Sequence, residues 1–255
     1  MSSERRGPWT LGTADAESVL AEARRALFVM AGFLAILWII QLANAADSYR
    51  LSAEYGIWPH QLSSLPDILT SPFLHLSWTH IEGNSGPLFI FGFLAAYRGV
   101  VRFLGLTALI IVVSGLVYWS TASVHSYGVG ASGVVFGYLG YILVRGIFDR
   151  HAIDLLIGAV MALCFAYQFT VLLPHAGIGW QDHIGGLVAG VLGGWIFRDR
   201  RAAAARRAAV PKPASTPAPP GTGLAVPKPA SPAASPTDHG GPRSDLHKQL
   251  DDMGL

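Results

Sequence analysis

The chain has 255 residues, of which 51% are hydrophobic and only 13% are charged. Because a soluble domain usually carries about 25% charged residues, this composition leaves too little polar surface for a water-facing fold and places the chain in the membrane class. The formal net charge of +2, spread over small separate clusters, gives no indication of a nucleic-acid partner, and the single cysteine, Cys164, excludes an internal disulfide.

Six apolar stretches follow a polar N-terminal segment, residues 1–25. They cover residues 26–46, 80–97, 103–119, 131–144, 152–173 and 183–197. A helix needs about 20 residues to cross a hydrocarbon core about 30 Å thick. The first and fifth stretches reach this length alone, whereas the fourth and sixth are short. We therefore predict an all-α membrane protein, a bundle of six transmembrane helices over residues 26–198.

The first stretch has an alternative interpretation as a signal peptide, because Ala43-Asn44-Ala45 has the pattern of a cleavage site. Its apolar run is longer than the usual core of about 7–15 residues, which favours a retained span. The long first external loop, residues 47–79, is rich in Trp, Pro and Leu. Amphipathic rings suit the headgroup region, so we predict an interfacial loop, with a plain connector as the alternative.

Residues 208–243 are rich in Pro, Ala, Ser and Gly, and the string AVPKPAS occurs at 209–215 and again at 225–231. Such a composition cannot build an apolar core. We predict that residues 199–255 form a disordered cytoplasmic tail. The repeated string is either a docking motif or a consequence of low complexity.

Arginine placement predicts the orientation of the spans. With a cytoplasmic N-terminus and six crossings, thirteen of the arginines up to residue 207 fall on the cytoplasmic side and only Arg50 on the other. The thirteen are Arg5, Arg6, Arg24, Arg25, Arg98, Arg102, Arg145, Arg150, Arg198, Arg200, Arg201, Arg206 and Arg207. By the positive-inside rule, we predict a multi-pass protein of the plasma membrane with both termini cytoplasmic.

Three polar features stand at the starts of the second, fourth and sixth stretches, where polar groups are costly and tend to be functional. They are His80 with Asn84, which share a helical face, then Ser132, and then His183. All three of these spans run from outside to inside in the predicted topology. The features are therefore expected at the same membrane face and at similar depth.

The short fourth span also predicts depth, because about 14 residues make only about 21 Å of helix. Ser132 is therefore expected several ångströms below the outer surface, beside a water-filled cavity. Two glycine stripes let the fourth and sixth spans approach closely, although each alone is typical of ordinary helix packing. The stripes are Gly133, Gly137 and Gly140 on the fourth span, and Gly186, Gly190 and Gly194 on the sixth.

These features resemble the motifs of the rhomboid family of intramembrane serine proteases. Gly130-Ala131-Ser132-Gly133 is similar to the family's GxSG motif. His80 and Asn84 are similar to its HxxxN pair, and His183 with Gly186 to its HxxG. GxSG alone is a weak signal, since it also occurs in soluble hydrolases. The three motifs together, in order and on the expected spans, make the resemblance specific over residues 26–198.

The resemblance implies a serine endopeptidase with a catalytic dyad, in which Ser132 is the nucleophile and His183 its base. The oxyanion hole would consist of the side chains of His80 and Asn84 and the backbone N–H of Ser132. Its substrates would be transmembrane proteins, cut near the outer face of the lipid bilayer. The sequence gives neither the substrate's identity nor an oligomeric state.

Supporting roles also follow from the resemblance. Gly130, Gly133 and Gly186 belong to the motifs, and Phe136 matches the aromatic residue that stacks on the catalytic histidine. A lipid-facing or core aromatic is the alternative for Phe136. The resemblance implies no cofactor and no metal.

Two departures from the family pattern stand out. Asp182 occupies the position before the histidine, where the family often has alanine. A third triad role is not expected for it, because successive helical residues point about 100° apart. The first external loop also lacks the Trp-Arg pair that some relatives carry. We interpret His60, His75, His125 and His175 as interfacial polar residues.

Two other functions compete with that of a protease. A catalytically inactive rhomboid-like protein that binds membrane clients would be marked by loss of the serine or histidine, and both are present. A transporter or channel would show inverted repeats and charged residues in mid-span. The sequence shows neither feature.

Overall fold

A computed structural model describes residues 13–174 and 179–198. Within these ranges the chain is helical and forms no β-strand, apart from an isolated antiparallel bridge between Ile57 and Gly128. The all-helical prediction is confirmed in this coarse form. The first twelve residues, His175 and the predicted tail at 199–255 lie outside the described residues.

The described residues contain seven α-helices, and each of the six longer ones overlaps one of the six apolar stretches. They are α1 (Thr13–Ala46), α2 (Arg50–Glu54), α3 (Trp78–Ala96), α4 (Val100–Thr121), α5 (Ser132–Phe148), α6 (Ala152–Cys164) and α7 (Trp180–Ile196). Ser77 begins α3 as its N-cap, since its side-chain oxygen accepts the His80 N–H.

Helix α1 begins at Thr13, well before the apolar stretch predicted from residue 26. Its 34 residues correspond to about 51 Å of helix at 1.5 Å per residue, which exceeds the hydrocarbon core. Alanine and glutamate favour the helical state without adding hydrophobicity. The polar segment therefore continues the helix where a hydropathy pattern gives no sign of one.

The fifth apolar stretch is a broken helix. Helix α6 ends at Cys164, and a 3-10 helix, Ala166–Leu172, continues the chain at an angle of 68° to it. By length and composition, only α1 and α4 of the described helices can each cross a membrane, with the bent pair as a third candidate. Helix α5 is apolar but shorter. The count of six spans therefore stays a prediction.

Helix α5 is the centre of the bundle, because it packs against α3, α4, α6 and α7. Large side chains on three of its turns are fully buried, among them Phe136, Tyr138 and Ile142. Helix α1 packs mainly on α3, and it leaves one face of large apolar residues exposed. Such a face suits contact with lipid.

A buried ion cluster joins α5, α6 and the segment after α3. Asp154 on α6 pairs with Arg145 at 2.6 Å and also with Arg98. The Arg145 guanidinium donates in addition to the Leu94 carbonyl at 3.1 Å. Arg145 and Asp154 are each only 3% exposed. Two of the arginines counted for the positive-inside rule are thus paired with a buried carboxylate rather than free at a membrane surface.

The loop between α1 and α3 is packed against the helix bundle. It contains α2 and three short 3-10 turns, and its Ile57, Ile68 and Leu74 side chains are buried. Ile57 pairs with Gly128 through two backbone hydrogen bonds of 2.9 Å. The Ser71 carbonyl accepts the Gly130 N–H at 3.0 Å. These hydrogen bonds therefore attach the turn that leads into α5 to the loop.

Candidate active site

The turn before α5 depends on a glycine. Gly130 has a φ of 123°, a conformation that L-residues with a side chain rarely adopt. A Cβ there would also lie 2.7 Å from His80 Nε2 and 3.8 Å from Asn84 Nδ2. Gly130 thus lets the chain reverse into α5 while the tips of His80 and Asn84 stay close to the backbone.

Glycines also let α5 and α7 touch along their backbones. A Cβ on Gly186 would clash with the Gly133 carbonyl oxygen, and one on Gly190 would clash with the Gly137 carbonyl. A turn further along, a Cβ on Gly140 would lie 2.6 Å from the Leu187 carbonyl oxygen. Since lipid offers no hydrophobic drive for helix association, such close van der Waals packing holds the pair together.

This approach brings Ser132, the first residue of α5, to His183 in the first turn of α7. His183 Nε2 lies 2.9 Å from Ser132 Oγ. The other ring nitrogen, Nδ1, lies 3.0 Å from the Val171 carbonyl oxygen. A carbonyl can only accept, so Nδ1 carries the proton and Nε2 is the acceptor for the serine hydroxyl. The ring is thus fixed in the tautomer that a base requires.

Phe136 stacks on the face of the His183 imidazole ring. The Phe136 and His183 ring centroids are 4.7 Å apart, with an angle of 28° between the planes. Phe136 is 1% exposed, and it lies one turn after Ser132 on α5. The stacking restricts rotation of the imidazole.

His80 and Asn84 supply two hydrogen-bond donors beside Ser132. His80 Nδ1 accepts the Leu76 N–H at 3.4 Å, so Nε2 carries the proton in the neutral ring. The Asn84 amide nitrogen is buried and has no partner among the described residues. Buried donors are nearly always paired, so an unpaired one facing a cavity is available to a ligand oxygen.

Asp182 points away from the ring of its neighbour His183. Its carboxylate contacts Gly133 and is hydrogen-bonded to the Gly133 backbone and the Ser114 side chain. The His183 Nδ1 position, where a third triad member would bind, is taken by the Val171 carbonyl. Asp182 therefore joins α7 to α4 and to the first turn of α5.

A cavity of about 930 Å³ gives access to these groups. Its lining includes Ser132, His183, His80 and Asn84, together with residues of the first loop and of the loop before α5. No group of three metal-binding side chains occurs within residues 13–174 and 179–198. The polar groups in the cavity can bind, orient and move protons.

Comparison with known proteins shows the family of this chain. The family model of the rhomboid domain matches residues 62–200. An uncharacterized protein of Mycobacterium tuberculosis is 34% identical over 187 residues, which cover 69% of this chain and 78% of that protein. The chain belongs to the rhomboid family.

Two further relatives are less similar to this chain. An uncharacterized protein of Mycobacterium leprae is 30% identical over 192 residues, 71% of this chain and 76% of that protein. The rhomboid protease GlpG of Haemophilus influenzae is 26% identical over 183 residues, 71% of this chain and 94% of that protein. Membership of the family, with the apolar helices, makes this rhomboid a multi-pass membrane protein.

The structure brings together every residue that the sequence singled out in the rhomboid motifs, which are Gly130, Ser132, Gly133, Phe136, His80, Asn84, His183 and Gly186. Two residues that contact the site were not predicted from the sequence. His75 was interpreted as interfacial, which is wrong, because it is fully buried and contacts Ala131. Val171 contributes only its backbone carbonyl, for which no sequence signal exists.

Gly186→Ala is predicted to destabilise this rhomboid, because the new methyl group meets the α5 backbone, which cannot yield as a side chain can. Overpacking of this kind costs about 1–3 kcal/mol. Gly32→Ala on α1 is the matched control, since a Cβ there meets nothing within 4 Å. Thermal unfolding in detergent should show a lower midpoint for the first variant only. Equal midpoints for the two variants would contradict the close backbone approach of α5 and α7.

Proposed function

We propose that this rhomboid is an intramembrane serine endopeptidase that cleaves transmembrane protein substrates with a dyad of Ser132 and His183. The observation that carries the proposal is the 2.9 Å hydrogen bond between Ser132 Oγ and His183 Nε2, combined with the tautomer set by the Val171 carbonyl. A hydroxyl is a weak nucleophile until an adjacent base takes its proton. The pair has the geometry for that transfer.

In the proposed reaction, Ser132 Oγ attacks the scissile carbonyl carbon while His183 Nε2 takes the hydroxyl proton. The carbonyl oxygen then carries the negative charge of a tetrahedral intermediate. The C–N bond breaks, and the leaving amine receives the proton from the imidazolium. Water, deprotonated by His183, next attacks the acyl-enzyme, and Ser132 recovers its proton as the acid product leaves.

The oxyanion is stabilised, in this proposal, by the His80 Nε2–H, the Asn84 amide and the Ser132 backbone N–H. Support comes from the positions of His80 and Asn84 against the Gly130 turn and from the unpaired Asn84 amide. Donors that are already aimed at the developing charge stabilise it without reorganisation, which lowers the barrier of the reaction. The carboxylate of Asp182 takes no part in proton transfer.

The proposed membrane arrangement has six spans, with the site at the outer face and both termini in the cytoplasm. The N-terminal ends of α3, α5 and α7 meet at the site, as they should if these three helices cross in the same direction. Residues 1–25 form the N-terminal cytoplasmic segment, 26–198 the membrane domain and 199–255 the cytoplasmic tail in this proposal.

A reporter fused after Arg201 tests this orientation. We expect a reporter that works only in the cytoplasm to be active there, and one that works only outside the membrane to be inactive. The arginine distribution is the physical reason. The reverse pattern would overturn the orientation and the placement of the site at the outer face.

Fluorophosphonate labelling of the purified protein tests the dyad directly. Ser132→Ala is expected to abolish both labelling and cleavage of a transmembrane substrate, since the variant lacks only the hydroxyl. His183→Ala is expected to nearly eliminate both, because no other base contacts Ser132 Oγ within the described ranges. Ser123→Ala is the matched control, an exposed serine that lines the same cavity.

The inactive client-binding alternative gives a different outcome in that experiment. A folded wild-type protein that is neither labelled nor able to cleave any transmembrane substrate would favour binding without hydrolysis. Retention of more than a few per cent of cleavage by Ser132→Ala would instead show that another group is the nucleophile.

The oxyanion donors are predicted to be partly redundant. Asn84→Ala should slow cleavage by about 10²-fold, or about 2.7 kcal/mol, because the other donors remain. His80→Ala should also slow cleavage but keep detectable fluorophosphonate labelling. If His80→Ala abolishes labelling while His183→Ala spares it, the roles of the two histidines are reversed.

A further inference from the structure

His75 lies in the first external loop, three residues before α3. Its side chain is fully buried at 0% exposure, and its ring meets the edge of the His80 ring at a centroid distance of 4.9 Å. A histidine so placed has been taken out of water and needs partners for its polar atoms. Its contacts therefore indicate what it does.

The ring of His75 binds the backbone next to Ser132. The Ala131 N–H donates to His75 Nε2 at 3.3 Å. Because a backbone N–H can only donate, Nε2 must be unprotonated, and the ring is neutral with its proton on Nδ1. Burial, aided by the nearby His80, lowers the pKa of His75 to about 3. The ring therefore stays an acceptor throughout the physiological pH range.

The backbone of His75 is anchored at the end of α1. Its carbonyl oxygen accepts hydrogen bonds from Asn44 Nδ2 at 2.9 Å and from Ser52 Oγ at 3.4 Å. Asn44 and Ser52 are both fully buried, and the Asn44 side-chain oxygen accepts the Ser52 N–H at 3.2 Å. A continuous buried network thus runs from α1 through His75 to the residue before Ser132.

The hydrogen bond from Ala131 to His75 affects the site because of the N–H groups around Ser132. The first N–H groups of a helix have no partner within the helix. Here the Gly130 N–H donates to the Ser71 carbonyl, the Ala131 N–H to His75, and the Gly133 backbone is bound by the Asp182 carboxylate. Within residues 13–174 and 179–198, no acceptor pairs with the Ser132 N–H. The backbone on both sides of Ser132 is therefore held, and the Ser132 N–H is left to donate.

We infer that His75 is a positioning residue for hydrolysis at Ser132: by accepting the Ala131 N–H, it holds the turn so that the Ser132 N–H faces the developing oxyanion. The inference rests on the proposed function. Loss of this acceptor would leave a buried N–H unsatisfied and let the peptide plane rotate. The variant would lose stabilisation of the transition state more than affinity for the substrate.

Two substitutions distinguish the hydrogen bond that His75 accepts from the space that its side chain fills. His75→Leu keeps an apolar group of similar size but cannot accept a hydrogen bond, whereas His75→Gln places an amide oxygen near the position of Nε2. We expect His75→Leu to lower kcat for a transmembrane substrate about 10-fold to 100-fold, less than loss of a complete oxyanion donor, with KM nearly unchanged. His75→Gln should recover most of the lost kcat.

A matched control removes loss of stability as the explanation. Ile142→Ala opens a cavity on α5 far from the Ser132 turn, at a residue that is 0% exposed, and it should lower the unfolding temperature while kcat of the folded protein stays near wild type. Hydrogen exchange of the peptide that contains Ala131 should rise in His75→Leu and stay low in His75→Gln. This second readout is independent of activity.

Several outcomes would overturn the inference. It fails if His75→Leu keeps wild-type kcat, if His75→Gln is as slow as His75→Leu, or if Ile142→Ala loses the same kcat. If His75→Leu does not fold, Asn44→Ala tests the network from its other end, and unchanged kcat there would equally overturn it. A wild-type protein that neither cleaves nor becomes labelled at Ser132 would contradict the proposed function itself. A wild type and a His75→Leu variant that are equally active would contradict only the role of His75.

Discussion

The direct backbone contact between α5 and α7 is the constraint on which the rest of the structure depends. At Gly133–Gly186 and Gly137–Gly190 there is no room for even one methyl group between the two helices. Because lipid is as apolar as the side chains it would displace, this contact is held by packing and not by exclusion of water. It fixes the separation of the two helix N-terminal ends, and with it the distance between a serine hydroxyl and an imidazole.

Much of the contact between α5 and α7 and of the candidate site could be predicted from the sequence, because glycine spacing and the order of polar residues are local patterns. The stripes at Gly133 and Gly186 and the polar residues at the starts of alternate spans required only a helical period and a count of crossings. The bounds of the helices were less predictable. The extension of α1 back to Thr13 carries no hydropathy signal, and the break after Cys164 has neither glycine nor proline to mark it.

The parts of the site that escaped prediction are those made by tertiary contact alone. A backbone carbonyl such as that of Val171 belongs to every residue, so nothing in the sequence distinguishes it. His75 looked like any histidine of an interfacial loop until its burial was known. Asp154 gave no sign that it would pair with both Arg98 and Arg145. Each depends on which residues meet across helices, and a single sequence does not contain that information.

The 3-10 helix after α6 connects two quantities that are usually separate, the width of the cavity and the protonation pattern of His183. Gln168 and Val171 of this short helix line the cavity, and the Val171 carbonyl also fixes the proton on His183 Nδ1. A displacement of this segment that widens the entrance would release that proton to move between the two ring nitrogens. If the proposed reaction takes place, the entry of a polypeptide and the protonation pattern of its base would then both depend on the position of this one 3-10 helix.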